Sequence, residues 1–300
     1  MKKITVFVLF LLAFNLAAED KDVFSLDGDR TISPKGVQIL ETLSNGADED
    51  AMYRFAQKIS HEDLIKAMYS PVSQFQWTAI DMARYKKNPW PYLPYLAVLS
   101  AAPQRRVAST ASNSLIRGIE NGIKIYKSDS IVVDGEVKQL IELILKNVKN
   151  VYLDMDIRIN SIQSLKMLME ISGNIQIFDK KLLQDESPEI RDWSLILLTA
   201  PFNKEELEIM EKAASDSSVL VKGHAAELLC ENALSLGAEK LTDDLVELLE
   251  DLLKDSEYIL NPAFLGCIAR FKPEQRATFG DIIDQTENEH LKEYWKSLLE

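Results

Sequence analysis

Apolar positions recur at helical spacing in two similar segments of the second half of the chain. Each segment starts with an aspartate, Asp185 or Asp216, and has apolar or small residues 5, 9, 12 and 13 positions later. These offsets place the side chains on one stripe of an α-helix. We therefore predict an amphipathic helix in each segment, with the aspartate as its N-cap, because a carboxylate accepts hydrogen bonds from first-turn N–H groups.

The same frame fits five further windows, which begin at Ser70, Ala102, Tyr152, Asp255 and Thr286. Successive windows start 31 to 39 residues apart, apart from one interval of 50. The position at offset 9 is held in turn by Ala79, Ala111, Ser161, Ser194, Ala225, Phe264 and Trp295. A helical pattern that returns about every thirty residues is typical of stacked helix pairs that bury their apolar faces against one another.

The segment at Asp185 resembles the second helix of a HEAT repeat, where an aspartate is followed by Val or Ile at offset 5, Arg at offset 6 and Ala at offset 9. Ile190, Arg191 and Ser194 match that pattern. The next window repeats it with Val221, Lys222 and Ala225, and an earlier one with Ile157, Arg158 and Ser161. The resemblance covers roughly residues 70–300. It implies an all-α, right-handed α-solenoid of the armadillo type, in which Asp and Arg link adjacent repeats.

The first residues have the pattern of a secretory signal peptide. Lys2 and Lys3 precede an apolar run, and small residues precede a polar boundary after Ala18. We expect cleavage there and an exported, periplasmic or secreted protein; a retained N-terminal anchor is the alternative. The mature chain has no second long apolar run, so no transmembrane segment is expected in it.

The remaining chain is predicted to divide into a flexible lead-in (19–33), N-terminal helical repeats (34–117), a segment of different character (118–136) and C-terminal repeats with a cap (137–300). Gly118 and Gly122 interrupt the third part, and Ile123 to Tyr126 is prone to form a strand. We interpret 118–136 either as an insertion, such as a hairpin or ordered loop that contacts a partner, or as a spacer between repeats.

The net charge of the chain argues against one class of partner, the nucleic acids. The net charge of −13 becomes −15 once residues 1–18, which carry two lysines and no acid, are removed. A basic footprint for nucleic acid is therefore missing, and we expect no nucleic-acid partner.

The sequence offers few candidate catalytic or metal-binding residues. The histidines His61, His224 and His290 lie far apart, without metal-ligand spacing, and no phosphate-binding or nucleophile motif occurs. We expect no catalytic residue, no metal and no cofactor; for His224, an acid–base role is weighed against a packed or surface position. Cys230 and Cys267, on different repeat helices, form a possible disulfide if the chain is exported, with buried free thiols as the alternative.

Aromatic residues suggest where a partner binds. Trp90, Tyr92 and Tyr95 lie in a proline-rich stretch, and Tyr126 lies in the segment 118–136. Trp and Tyr dominate binding hot spots, although here they can equally pack on flanking helix ends. We predict a non-enzymatic scaffold or protein-binding module. The alternatives are an envelope enzyme that acts on glycan through acidic residues, and a structural subunit of an envelope assembly.

Overall fold

The computed structural model describes residues 31–129, 134–172, 179–237, 245–248, 252, 262–271, 273–285 and 289–299. Within these ranges the chain is helical and contains no strand, which confirms the all-α class. The predicted signal peptide (1–18), most of the lead-in (19–33) and the start of the window at Asp255 lie outside the described residues.

The chain forms two compact units, with the boundary between Ile171 and Ser172. The helices of the first unit are α1 (Pro34–Ser44), α2 (Glu49–Ala56), α3 (His61–Met68), α4 (Ser73–Ala83), a 3-10 turn (Trp90–Tyr92), α5 (Leu93–Leu99), α6 (Arg105–Asp129), α7 (Asp134–Lys149) and α8 (Met155–Ser172). The second unit contains a 3-10 turn (Lys180–Gln184), α9 (Pro188–Leu195), α10 (Lys204–Ala214), α11 (Val219–Ser235), α12 (Pro262–Ala269), α13 (Pro273–Asp284) and α14 (Glu289–Leu299).

Inside each unit, the helices pack on helices that are near them in the sequence. In the first unit, α4 packs against α3 before it and α6 after it, while α5 packs against α6 and α7. In the second unit, α9, α11, α12 and α14 contact one another in succession, and α10 and α13 pack on α11 and α14. The windows at Ser70, Ala102, Asp216 and Thr286 fall on α4, α6, α11 and α14, each of which packs on the helix before it in the chain.

Small residues at offset 9 lie at the centre of these contacts. The exposed fraction is 0 to 1% for Ala79, Ala111, Ser161, Ser194 and Ala225; Trp295, a large residue at the same offset, is 3% exposed. The Ser161 and Ser194 hydroxyls donate to the carbonyl four residues earlier, at 2.8 and 2.6 Å, so serine fits where alanine does. The side chain of Phe264 lies outside the described residues.

The expectation that Asp185 and Asp216 are N-caps is wrong. The N-caps of α9 and α11 are Ser187 and Ser218. Each aspartate lies two residues earlier, and its Oδ1 accepts the serine backbone N–H, at 3.0 Å from Ser187 and 2.8 Å from Ser218. The Asp216 carboxylate additionally accepts two hydrogen bonds from Arg191 of α9, so a single side chain bonds both within its own turn and to a neighbouring helix.

The structure also departs from expectation in the segment 118–136. Residues 118–129 form the second half of α6, so the strand-prone run is helical, and 130–133 lie outside the described residues. A Cβ added to Gly118 would lie 2.7 Å from Leu93 Cδ2, and one added to Gly122 would lie 2.9 Å from Trp90 Cε2. These glycines make room for neighbouring side chains instead of ending the helix.

Candidate functional site

The predicted aromatic contact residues are packed against the first unit. Tyr92 is 4% exposed, its ring centroid lies 5.0 Å from that of His61, and Lys86 Nζ lies 5.6 Å from it. Burial raises the pKa of Tyr92 to about 12. Tyr92 is therefore too buried to contact a partner directly.

Trp90 and Tyr95 are half-buried. Trp90 Nε1 donates to the Gly122 carbonyl at 3.2 Å, and the Tyr95 ring meets the Tyr69 ring edge-on, with centroids 6.5 Å apart. Burial raises the pKa of Tyr69 above its ordinary range. The Tyr126 side chain lies outside the described residues. The packing alternative thus accounts for Trp90, Tyr92 and Tyr95.

A different surface of the first unit forms an open groove of about 570 Å³ between α1, α2, α4 and α6. Its apolar wall consists of Leu43, Ala47, Met52 and the Trp77 ring, and its polar wall includes Gln74, Thr78, Asp81, Arg106 and Thr110. We call it the Trp77–Arg106 groove. The sequence pattern did not single it out, because it combines residues from four helices.

An aromatic–cation stack dominates the groove. Arg106 Cζ lies 3.5 Å from the centroid of the Trp77 ring, a distance at which a guanidinium is attracted to the ring face. Arg106 itself is exposed. The Trp77 Nε1–H is buried and has no acceptor among the described residues. Trp77 and Arg106 lie on α4 and α6, two helices that pack directly on each other.

Hydrogen bonds fix the helix ends that border the groove. Gln74 Nε2 donates to the Ser44 carbonyl at 2.6 Å, and the Ser44 and Thr78 hydroxyl oxygens are 3.1 Å apart. Gly46 continues the chain from α1 to α2 with φ of +100°, a conformation that favours glycine. These hydrogen bonds therefore hold the end of α1 against α4 at the groove.

Hydrogen bonds also fix the start of α1. The Ser33 backbone N–H and hydroxyl both donate to the Asp63 carboxylate, at 2.8 and 2.6 Å. Burial alone would raise the pKa of Asp63, but the hydrogen bonds from Ser33 and Ser60 outweigh it and lower that pKa. Because both ends of α1 are held, the groove has a preformed wall.

The groove does not match the glycan-hydrolase alternative. Asp81 is the single carboxylate among its lining residues, and Arg84 Nε binds it at 2.8 Å. Glycoside hydrolysis requires two carboxyl groups that flank one bond. Elsewhere in the described ranges, no cluster of three or more His, Cys, Asp or Glu side chains is arranged to hold a metal ion.

In the second unit, polar side-chain contacts join α9 to α11 and to the turn before it. The guanidinium of Arg191 binds the Asp216 carboxylate, and His224 Nδ1 lies 2.9 Å from Asp192 Oδ1. Arg191 belongs to one window of the repeat frame and Asp216 to the next, as the resemblance to HEAT repeats implied. His224 thus has a structural partner on the adjacent helix.

The two cysteines of the chain also lie in the second unit. Their Sγ atoms form a disulfide, with Cα atoms 6.4 Å apart, that joins α11 to α12. Cys230 and Cys267 are buried beside Ala226, Ile268 and Phe271. The bond thus lies within an apolar cluster.

One turn of the first unit exposes several apolar side chains. Between α7 and α8, Val151 is 65%, Tyr152 82% and Met155 43% exposed.

Among the helices that the structure describes, none is both long enough and apolar enough to cross a bilayer.

Comparison of the chain with models of known protein families and with curated proteins finds no match, so the likeness to HEAT repeats rests on the repeat residues and their contacts.

Proposed function

We propose that the chain is an exported, non-enzymatic binding protein, built as a right-handed HEAT-like α-solenoid, that holds a segment of a protein partner in the Trp77–Arg106 groove. The groove itself is the observation that carries this proposal. It is open to solvent, and its walls are preformed by helices that are tied together at their ends.

The composition of the groove favours a protein ligand. Trp and Arg are the residues most enriched at binding hot spots, and here they stack on each other at an exposed position. The surrounding wall mixes apolar side chains with hydroxyl and amide groups, as is usual where a few polar contacts orient a ligand.

The helix contacts support the repeat architecture. Second helices of successive pairs pack on one another within each unit, and the Arg191–Asp216 pair bridges two of them. Repeats that contact only their neighbours generate extended surfaces, which such proteins use to bind partners.

Two features support export. The pattern of residues 1–18 is that of a signal peptide, and the Cys230–Cys267 disulfide requires an oxidising compartment. Fractionation of the source cells tests this part. Recovery of the full-length, reduced chain from the cytosol would refute it.

The binding function is tested by capture from an envelope extract on the tagged chain. We expect a defined protein to be retained by the wild type and lost with Trp77→Ala and with Gln74→Trp, which fills the groove from an exposed position. Leu220→Ser, which changes an exposed apolar residue of the second unit, serves as the control and should retain it. Circular dichroism checks that each variant is folded. Equal capture by all variants would exclude the groove as the binding site.

A further inference from the structure

The Trp77–Arg106 groove holds a positive charge that has no ion-pair partner among the described residues. Its charged lining residues are Asp81 and Arg106, and Asp81 is engaged by Arg84. No carboxylate of the described residues lies within ion-pair distance of Arg106, whereas its neighbour Arg105 binds Asp154 at 2.9 Å. The Arg106 guanidinium is thus available to an anion from outside the chain, whose own net charge is −13.

The stack on Trp77 orients this charge. A guanidinium that lies over an aromatic ring still presents the N–H groups at its edge, and this planar fork matches a carboxylate. The edge of the Arg106 guanidinium is therefore the part of the stack that is suited to a carboxylate.

The rest of the groove suits an apolar group of limited size. Leu43, Ala47 and Met52 form its apolar wall. The groove has a volume of about 570 Å³ and is open to solvent, so a short peptide segment can lie along it without being enclosed.

We propose that the Trp77–Arg106 groove binds a short acidic segment of a protein partner, in which an Asp or Glu carboxylate pairs with the Arg106 guanidinium. An adjacent apolar side chain of that segment packs against Leu43 and Met52. This inference rests on the proposed function and specifies its ligand.

A library of displayed random heptapeptides, selected on the purified chain, tests the chemistry without a known partner. We expect enrichment of peptides with Asp or Glu next to Leu, Ile, Phe or Met on the wild type and on Arg105→Gln. Arg106→Gln should lose that enrichment. Retention of no peptide, retention without acidic enrichment, or the same enrichment on Arg106→Gln would overturn the inference.

A titration of one selected peptide by fluorescence anisotropy then measures the contribution of the carboxylate. The counterpart peptide with an amide in its place should bind about two- to fivefold more weakly to the wild type, as expected for an exposed ion pair, and the two should bind alike to Arg106→Gln. Added salt should weaken the acidic peptide more than the amide, because an exposed ion pair is screened. Equal binding of both peptides to the wild type would contradict the pairing.

Other occupants give different results. If inorganic phosphate alone displaces the peptide at matched concentration, the groove is a general anion site. If the wild type dimerises in analytical ultracentrifugation and Arg106→Gln does not, the occupant is a second copy of this chain. Either result overturns the proposed partner segment.

The two proposals fail separately. A partner that is captured through the groove, combined with a library that shows no acidic preference, would refute this inference and keep the proposed function. Carboxylate-dependent peptide binding without capture of any protein would support the preference of the groove for a carboxylate and would count against a protein partner in the envelope extract.

Discussion

Arg191 binds both carboxylate oxygens of Asp216, with Nη2 donating to Oδ1 and Nε to Oδ2, each at 2.8 Å. The two side chains are 13 and 14% exposed, so this pair between α9 and the turn before α11 is largely withdrawn from water. The hydrogen bonds from Arg191 lower the pKa of Asp216. The contact joins α9 to α11 at the level of a single turn.

Asp216→Asn should lower the free energy of unfolding by about 3 kcal/mol near neutral pH, because it leaves the Arg191 charge buried without its partner. Urea denaturation measures the change. The control is Arg270→Gln, which breaks an exposed pair with Glu231 and should cost less than about 1 kcal/mol. Equal effects of the two substitutions would show that burial adds nothing to the Arg191–Asp216 pair.

The stabilisation by Asp216 should depend on pH. Since the folded-state pKa of Asp216 is lowered, its contribution is complete above the ordinary aspartate pKa of about 3.9 and is lost as the pH falls through the folded-state value. The difference in stability between wild type and Asp216→Asn should therefore be constant from neutral pH down to about pH 5 and shrink at lower pH. A difference that persists unchanged in acid would contradict this assignment.

Gly122→Ala should destabilise the first unit by about 1–2 kcal/mol, although alanine favours helix formation, because the new Cβ would overlap the Trp90 ring. Thermal or urea unfolding tests this. Gly266→Ala is the matched control: Gly266 is also helical, a Cβ there meets no atom within 4 Å, and the change should stabilise by up to about 1 kcal/mol. Stabilisation by both substitutions would mean that the Trp90 ring does not lie against α6.

Tyr92 should affect stability at alkaline pH. Burial raises its pKa to about 12, so the folded state keeps the phenol neutral while the unfolded chain ionises from about pH 10. The stabilisation by the neutral hydroxyl is present below pH 10 and is lost as the pH rises through the folded-state pKa. Tyr92→Phe should therefore lose less stability than the wild type between pH 10 and 12, as measured by urea unfolding at each pH. Identical slopes would refute the burial effect.

Cys230→Ser combined with Cys267→Ser should lower the free energy of unfolding by about 3–4 kcal/mol, since the bond closes a loop with a sequence separation of 37. Peptide mapping without reduction identifies the bond directly, and denaturation gives the energy. Dithiothreitol should destabilise the wild type by a similar amount and leave the double variant unchanged. An effect of dithiothreitol on the double variant would point to another cause.

The helical class was predictable because it depends on short-range spacing. The offset-9 positions from Ala79 to Ala225 are buried, as the frame requires. The aspartate caps were mispredicted because Ser187 and Ser218, two residues further on, compete for the same role. Periodicity does not distinguish between an aspartate that caps a helix and one that binds a neighbouring repeat.

The candidate site was not predictable from the same pattern. Trp77 and Arg106 are separated along the chain and come together only when α4 packs on α6. Trp90 was predicted to contact a partner because it lies in a proline-rich stretch. In the structure its ring lies against Gly122, a residue that the sequence analysis had interpreted as an interruption of the helical pattern. Glycine in a helix and glycine in a turn look alike until the facing side chain is known.

The small residues at offset 9 have an evolutionary consequence. An interhelical distance set by one methyl or hydroxymethyl group constrains Ala79, Ala111, Ser161, Ser194 and Ala225, whereas the exposed positions of the same helices are free of that constraint. Lineages of such a chain can diverge at exposed sites and keep the same helix packing. Common ancestry would then persist in the three-dimensional arrangement long after it has faded from residue-by-residue alignment.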